Sequence, residues 1–212
     1  MKLNKIVKCL IYSDLVFYTG WGLISPIFAI FILQSIAGGD VFVVGMAAAV
    51  HLVTRSLLRV PFGMQADKSQ KKAYGHMFLG LLIASFVPIG YIFSTNQWHI
   101  YILQSVLGAS LAMSTAGWTG IFTKHIGTGK ESTEWGVDAV AVGFGPGIAG
   151  ALGGVAVTYF SFSLVFIAVG FIGIIGTLLL LVVRKDVLRH GTGSGKLFVS
   201  REVRRLKKAR IH

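Results

Sequence analysis

Polar residues in this chain are gathered into short clusters, with long apolar runs between them. The runs cover about residues 9–33, 41–62, 73–94, 98–122, 135–158 and 162–183. A hydrocarbon core of about 30 Å needs roughly 20 apolar residues in a helix. Each run is long enough, so the pattern predicts six transmembrane helices. The breaks read QSIAGGD at 34–40, GMQADKSQKK at 63–72, TNQ at 95–97, KHIGTGKESTE at 124–134, and a short turn near Ser161. Lys2, Lys5 and Lys8 precede the first run, as in the n-region of a signal peptide. That run is too long for a signal h-region and ends on no small-x-small cleavage site, so it reads as the first helix.

Composition supports the membrane reading. Hydrophobic residues make up 54% of the 212 positions and charged residues 13%, against about 25% charged in an ordinary soluble domain. The net charge of +12 would suit a nucleic-acid binder, but its distribution accounts for it otherwise. The N-terminus, the second–third loop, the fourth–fifth loop and the tail carry 3, 3, 2 and 10 Lys plus Arg. The three opposite loops carry none, and the last two cations, Arg55 and Arg59, lie inside the second run. Cations favour the cytoplasmic side, so both termini are expected in the cytoplasm, with the chain in the plasma (cytoplasmic) membrane. No nucleic acid is needed as a partner. One cysteine, Cys9, excludes an internal disulfide.

The expected division is a six-helix domain at 1–183 and a basic cytoplasmic tail at 184–212. In the tail, HGTGSGK (190–196) reads as a linker. A Walker loop would need Gly at His190 and Ser or Thr at Leu197. Residues 197–212 place Val199, Val203 and Leu206 at helical spacing among Arg and Lys, which suits a basic amphipathic helix on the anionic inner leaflet.

The second–third loop carries the most specific signal. Gly63, Asp67, Lys68, Lys71 and Lys72 follow the order Gly-x-x-x-Asp-Lys-x-x-Lys-Lys. This resembles the signature loop of the major facilitator superfamily, Gly-x-x-x-Asp-Arg/Lys-x-Gly-Arg-Arg/Lys, and departs from it at Gln70. The resemblance implies a gating role for these five residues. It covers about residues 7–183, one six-helix half of a transporter whose complete form has two parallel halves with substrate between them. Segment 123–135 also resembles that of short, single-half facilitator-like proteins.

Ionisable residues inside the apolar runs mark pathways by default. Asp14 lies in the first helix. His51, Arg55 and Arg59 recur every four residues and share one face of the second. Asp14 and Arg55 match in depth, so Arg55 either pairs with Asp14 or faces a cavity. Arg59 can snorkel to the interface. Asp14 reads as the only acid within the membrane at that depth, with Glu134 and Asp138 assigned to the inner end of the fifth helix. Trp21 sits between Gly20 and Gly22, where it either stacks on a solute or packs in the core, and Ser25-Pro26 predicts a bend.

The fourth helix holds a polar stripe that includes Gln104, Ser110, Ser114 and Trp118. Facilitators often carry Arg-x-x-Gln-Gly there. Aligning Gly108 puts Gln104 in place of that Arg, which removes the charge associated with proton coupling. The fifth helix reads GFGPGIAGALGG at 143–154. Its pairs Gly143–Gly147 and Gly150–Gly154 predict two small-xxx-small packing faces, and Pro146 a bend; the family's antiporter branch has a similar Gly-Pro element.

The substrate and ion pathway is therefore expected at Asp14, Trp21, His51, Arg55, Gln104 and Trp118. No catalytic constellation, metal-ligand set or cofactor motif is present. The expected function is transport of a small solute by a facilitator-type half, working as a homodimer or with another six-helix half. The alternative is a non-transporting scaffold, accessory subunit or truncated transporter.

Overall fold

A computed structural model describes residues 3–190. The 190–212 tail readings lie outside that range, apart from the end of the last helix. The described residues are helical, without strands. α1 (Lys5–Ile24) and α2 (Phe28–Ser35) follow each other across Ser25–Ile27, bent by 40°. The predicted break at Ser25-Pro26 is thus present, because Pro26 cannot donate to the helix ladder. Then come α3 (Val41–Ala66), α4 (Gln70–Ile92), α5 (Gln97–His125), α6 (Glu131–Tyr159) and α7 (Phe162–Leu179). α7 passes through a 3-10 turn, Leu180–Val183, into α8 (Arg184–His190). Among the described residues, five helical spans are long and apolar enough to cross a membrane, and six if α1 and α2 form one bent span.

The polar breaks do local work as caps. Asn4, Asp40, Ser69, Asn96 and Ser161 each accept a hydrogen bond from a backbone N–H in the first turn of the helix that follows. Such caps satisfy donors that the helix itself leaves open.

Several boundaries differ from the expected ones. α3 continues through Gly63 to Ala66, so the expected ten-residue loop is a turn at Asp67–Ser69, and Lys71 and Lys72 stand in the first turn of α4. Polar residues were taken there as loop, yet Gln65 and Met64 are good helix formers that continue the ladder at the surface. α6 likewise begins at Glu131 and runs through Pro146 as one helix.

The helices form an open arc in the order α3, α5, α4, α7, α1, α6, each packed on its neighbours. Small residues set the close approaches, as expected where lipid-embedded helices gain by packing rather than by hydrophobic burial. A Cβ on Gly80 would meet the Ser110 carbonyl of α5 at 2.5 Å, and one on Gly117 would strike Ala73 of α4. On α7, Gly173 admits Ser85 of α4, whose hydroxyl is 3.5 Å from Thr177. α1 is locked to α7 by Ser13, whose hydroxyl donates to Gly176 O at 2.8 Å.

The α1–α6 contact corrects the expected glycine faces. The buried row of α6 is Gly145, Ala149 and Gly153; Gly145 lies on Leu15 and Thr19, Gly153 on Leu23, and Pro146 on Gly22. Gly143, Gly147 and Gly154 face open space within the chain. Four-residue spacing was read correctly but in the wrong register, because a glycine-dense helix offers several such rows and only the neighbour chooses one.

The ends of the bundle are sorted. Ala37 N–H donates to Thr95 O at 3.0 Å, joining two cation-free turns at one end. At the other, Asn4 donates to His125 O, and Lys5 pairs with Asp186 at 2.8 Å. That pair is exposed and contributes little on its own.

Candidate functional site

The concave side of the arc holds an open cavity of about 570 Å³, lined from α1, α2, α3, α4, α5 and α6. Its wall is largely apolar, with Phe17, Tyr18, Trp21, Phe28 and Tyr91 set among aliphatic side chains. Three of the expected residues meet there: Trp21, His51 and Gln104. Gly108 explains how His51 is held. A Cβ at Gly108 would lie 2.6 Å from His51 O, so its absence lets α5 rest directly on the α3 backbone. Gln104, one turn away on the same helix face, is 6% exposed and turned to the same space.

The wall is not polar enough to satisfy itself. Trp21 Nε1, His51 Nδ1 and Tyr91 Oη are buried without a hydrogen-bond partner among the described residues. Leaving a buried donor or acceptor unpaired costs about 1–3 kcal/mol each. Such groups usually mark a ligand, water or strain.

Beneath the cavity lies a charged group. Asp14, Arg55 and Asp138 come from three different helices, and all three act on the hydroxyl of Tyr18, against which the Arg55 guanidinium stands. Asp14 and Asp138 are 7% and 9% exposed, and each lies within reach of the other's charge. Asp14 and Arg55 do not form an ion pair; among the described residues the pair within 4 Å is Lys5–Asp186. Two expectations therefore change. The simple Asp14–Arg55 bridge is absent, and Asp14 is not the only acid at that depth. Extending α6 down to Glu131 places Asp138 about 10 Å along its helix, against about 14 Å for Asp14 along α1. Extending α3 to Ala66 likewise puts Arg55 about 16 Å from the end of its helix. Tyr18 joins the two layers, since it lines the cavity and touches Arg55.

Trp118 stands elsewhere. It stacks on Phe122 at 4.3 Å and meets Trp135 at 5.5 Å, in an aromatic cluster between α5 and α6 away from the cavity. Arg59, one turn beyond Arg55 on α3, is exposed.

The fold and this geometry agree with comparison to known sequences. Residues 11–210 match the family model for the Major Facilitator Superfamily. The chain belongs to the major facilitator superfamily. No curated protein matches it.

As a facilitator, it is a multi-pass membrane protein of a transporter family, not an enzyme family. The facilitator signature sits at the α3–α4 turn. Asp67, Lys68, Lys71 and Lys72 are exposed, and a side chain at Gly63 would meet nothing within 4 Å. Tyr18 and Tyr91, which line the cavity, and Asp138, in the charged group, were not among the expected pathway residues. Asp138 carried a signal, as an acid one helical turn beyond Glu134; the two tyrosines carried none.

Proposed function

We propose that the chain moves a small solute through the cavity between Trp21, His51, Tyr91 and Gln104, with the Asp14–Arg55–Asp138 group below it sensing or driving the change of access. The observation that carries this reading is the apolar cavity on the concave side of the arc, where Trp21, His51 and Gln104 meet beside the group of Asp14, Arg55 and Asp138. The test is uptake by proteoliposomes incubated with a cell metabolite extract, followed by mass spectrometry. A compound that accumulates with protein and not in empty liposomes is expected. Identical contents in both would favour a non-transporting scaffold.

The working unit in this proposal is a pair of six-helix halves, two copies or one copy with another half. α3 and α6, at the two ends of the arc, are the least covered spans: 11% and 17% of their central stretches are buried, against 44% to 56% for α4, α5 and α7. Gly45 and Gly63 on α3, and Gly143 and Gly147 on α6, look onto open space. A second half against both ends would close the arc. Gly147→Leu should then leave the protomer's melting unchanged and weaken the pair at least tenfold, as read by crosslinking or by mass photometry in mild detergent. An unaltered oligomer would remove this face from the interface.

In this proposal both termini face the cytoplasm. The cation-rich end gathers Lys5, Lys68, Lys71, Lys72, Lys124 and Lys130. Lys71 and Lys72 stand in the first turn of α4, where the helix dipole disfavours cations. Their position therefore answers to the membrane side rather than to helix stability. With Cys9 replaced by Ser, single cysteines at 36–39 should label from outside intact cells, and cysteines at 68–72 should not. The opposite pattern would invert the topology.

A further inference from the structure

One edge of the cation-rich end is built differently from the rest. Two contacts clasp the end of α7 there. The Cys9 thiol of α1 donates to Leu179 O at 3.1 Å, and the Tyr74 hydroxyl of α4 donates to Leu180 O at 3.1 Å. The chain then turns through Leu180–Val183, and Arg184 and Lys185 emerge exposed beside the ends of α1 and α4. The charge of Arg184 reaches Tyr74, and that of Lys5 reaches Cys9. Lys71 stands three residues before Tyr74, hence on its side of α4. Lys71, Lys72 and Lys8 are exposed too. Two acids stand against these cations. Asp186 is taken up by Lys5 at 2.8 Å, and Asp67 lies in the turn before α4. The first two turns of α1 and the whole of α4 hold no acid. The α5–α6 edge is balanced instead, with Lys124 and Lys130 beside Glu131 and Glu134.

Gathered like charges repel one another over about 8–10 Å, and Lys71 and Lys72 also oppose the dipole of α4. An anion at this edge offsets both. Just inside the cations, α7 exposes Leu178, Leu181 and Val182, and α1 exposes Tyr12. The occupant must therefore carry negative charge at the surface and hydrocarbon beneath it. Phosphate suits the cations, because Arg can bond it through two parallel N–H donors and Lys adds point charges. α4, α7 and α1 are consecutive in the middle of the arc, away from α3 and α6 at its ends. A second half against those ends leaves this edge open to the bilayer. We propose that the edge is a binding site for an anionic phospholipid, its phosphate held by Lys71, Arg184 and Lys185 and its chains lying along residues 178–182. The site is separate from the solute cavity and does not depend on how that cavity is read.

Quenching by brominated lipids tests this on the full chain. In a Cys9→Ser background, whose hydroxyl keeps the donor to Leu179, a fluorophore is placed by Val182→Cys at the site or by Thr123→Cys beside Lys124 as reference. Both positions are exposed, and the reference reports whatever general attraction this end and the basic tail exert. Vesicles mix brominated phosphatidylglycerol, an anion, or brominated phosphatidylcholine, which has the same chains and no net charge, with unbrominated lipid. The preference for phosphatidylglycerol should be at least fivefold greater at 182 than at 123. Lys71→Gln with Arg184→Gln should bring the 182 preference down to the reference level. Lys124→Gln with Lys130→Gln removes the same charge from the other edge and should leave the 182 preference unchanged. Added glycerol 1-phosphate has the anion without chains and should not displace the lipid. Equal preference at the two labels, or equal losses in the two double variants, would show a diffuse attraction and overturn the proposal. Displacement by glycerol 1-phosphate would show a site for free anions and overturn it as well.

Discussion

Gly108→Leu is expected to separate α3 from α5 and cost about 3 kcal/mol, the upper end of the overpacking range. The obstacle is backbone rather than side chain. A Cβ there would lie 2.6 Å from His51 O and 3.2 Å from Arg55 N. A flexible side chain could turn aside, whereas these atoms belong to the helix ladder of α3 and move only if the helix moves. α3 has little else to hold it, because its main packing partner is α5. The substitution should therefore release α3 and with it one wall of the cavity. Thermal unfolding of the purified protein in detergent measures this, with Gly147→Leu as the comparison, since a Cβ at Gly147 meets nothing within 4 Å. Equal melting of the two variants would show that α3 can shift at no expense and that the α3–α5 contact does not define the site.

The second large effect is expected from the charged group beneath the cavity. Arg55 is half-buried near the middle of α3. An Arg at membrane depth without compensation costs at least about 2.5–3.5 kcal/mol. No carboxylate bridges it directly, but Asp14 and Asp138 both lie around the same tyrosine hydroxyl. Either acid can serve, so Asp14→Asn or Asp138→Asn alone should destabilise only mildly. The double variant leaves Arg55 with no carboxylate in reach and should lose about 3 kcal/mol, the same insertion cost. Adding Arg55→Gln removes the stranded charge and should return most of that stability, while solute uptake stays absent. Such a three-way cycle shows coupling as departure from additivity. If the double acid variant melts like the unaltered protein, Arg55 is satisfied by water or lipid and the three residues do not act as a unit. If Arg55→Gln alone keeps full uptake, the charge is structural and the solute pathway lies entirely within the cavity above.

The sequence by itself determined where the long apolar helices lie, because about 20 apolar residues in a row have one low-energy arrangement in a bilayer, and only a helix satisfies its own backbone there. It determined the breaks, since the capping residues Asn4, Asp40, Ser69, Asn96 and Ser161 lie at them. It identified the family through Gly63, Asp67, Lys68, Lys71 and Lys72, and it drew attention to Trp21, His51 and Gln104, which do meet in the cavity. What it did not determine was which face of each helix looks inward. In a soluble helix the polar side announces the outside, but here lipid and core are both apolar, so the periodicity that would reveal a face is lost. That is why Gly145–Ala149–Gly153 was passed over for Gly143–Gly147, why Trp118 was set in the pathway although it packs on Phe122 and Trp135, and why Tyr18 and Tyr91 were missed among other apolar-run aromatics. Asp138 was assigned to the inner end of the fifth helix because the polar break before it was read as reaching Glu134; only the packing of α6 along α1 carries it to the depth of Asp14. Tertiary contact alone decided these points, because the inward face of a membrane helix is chosen by the shape of its neighbours and not by its own pattern.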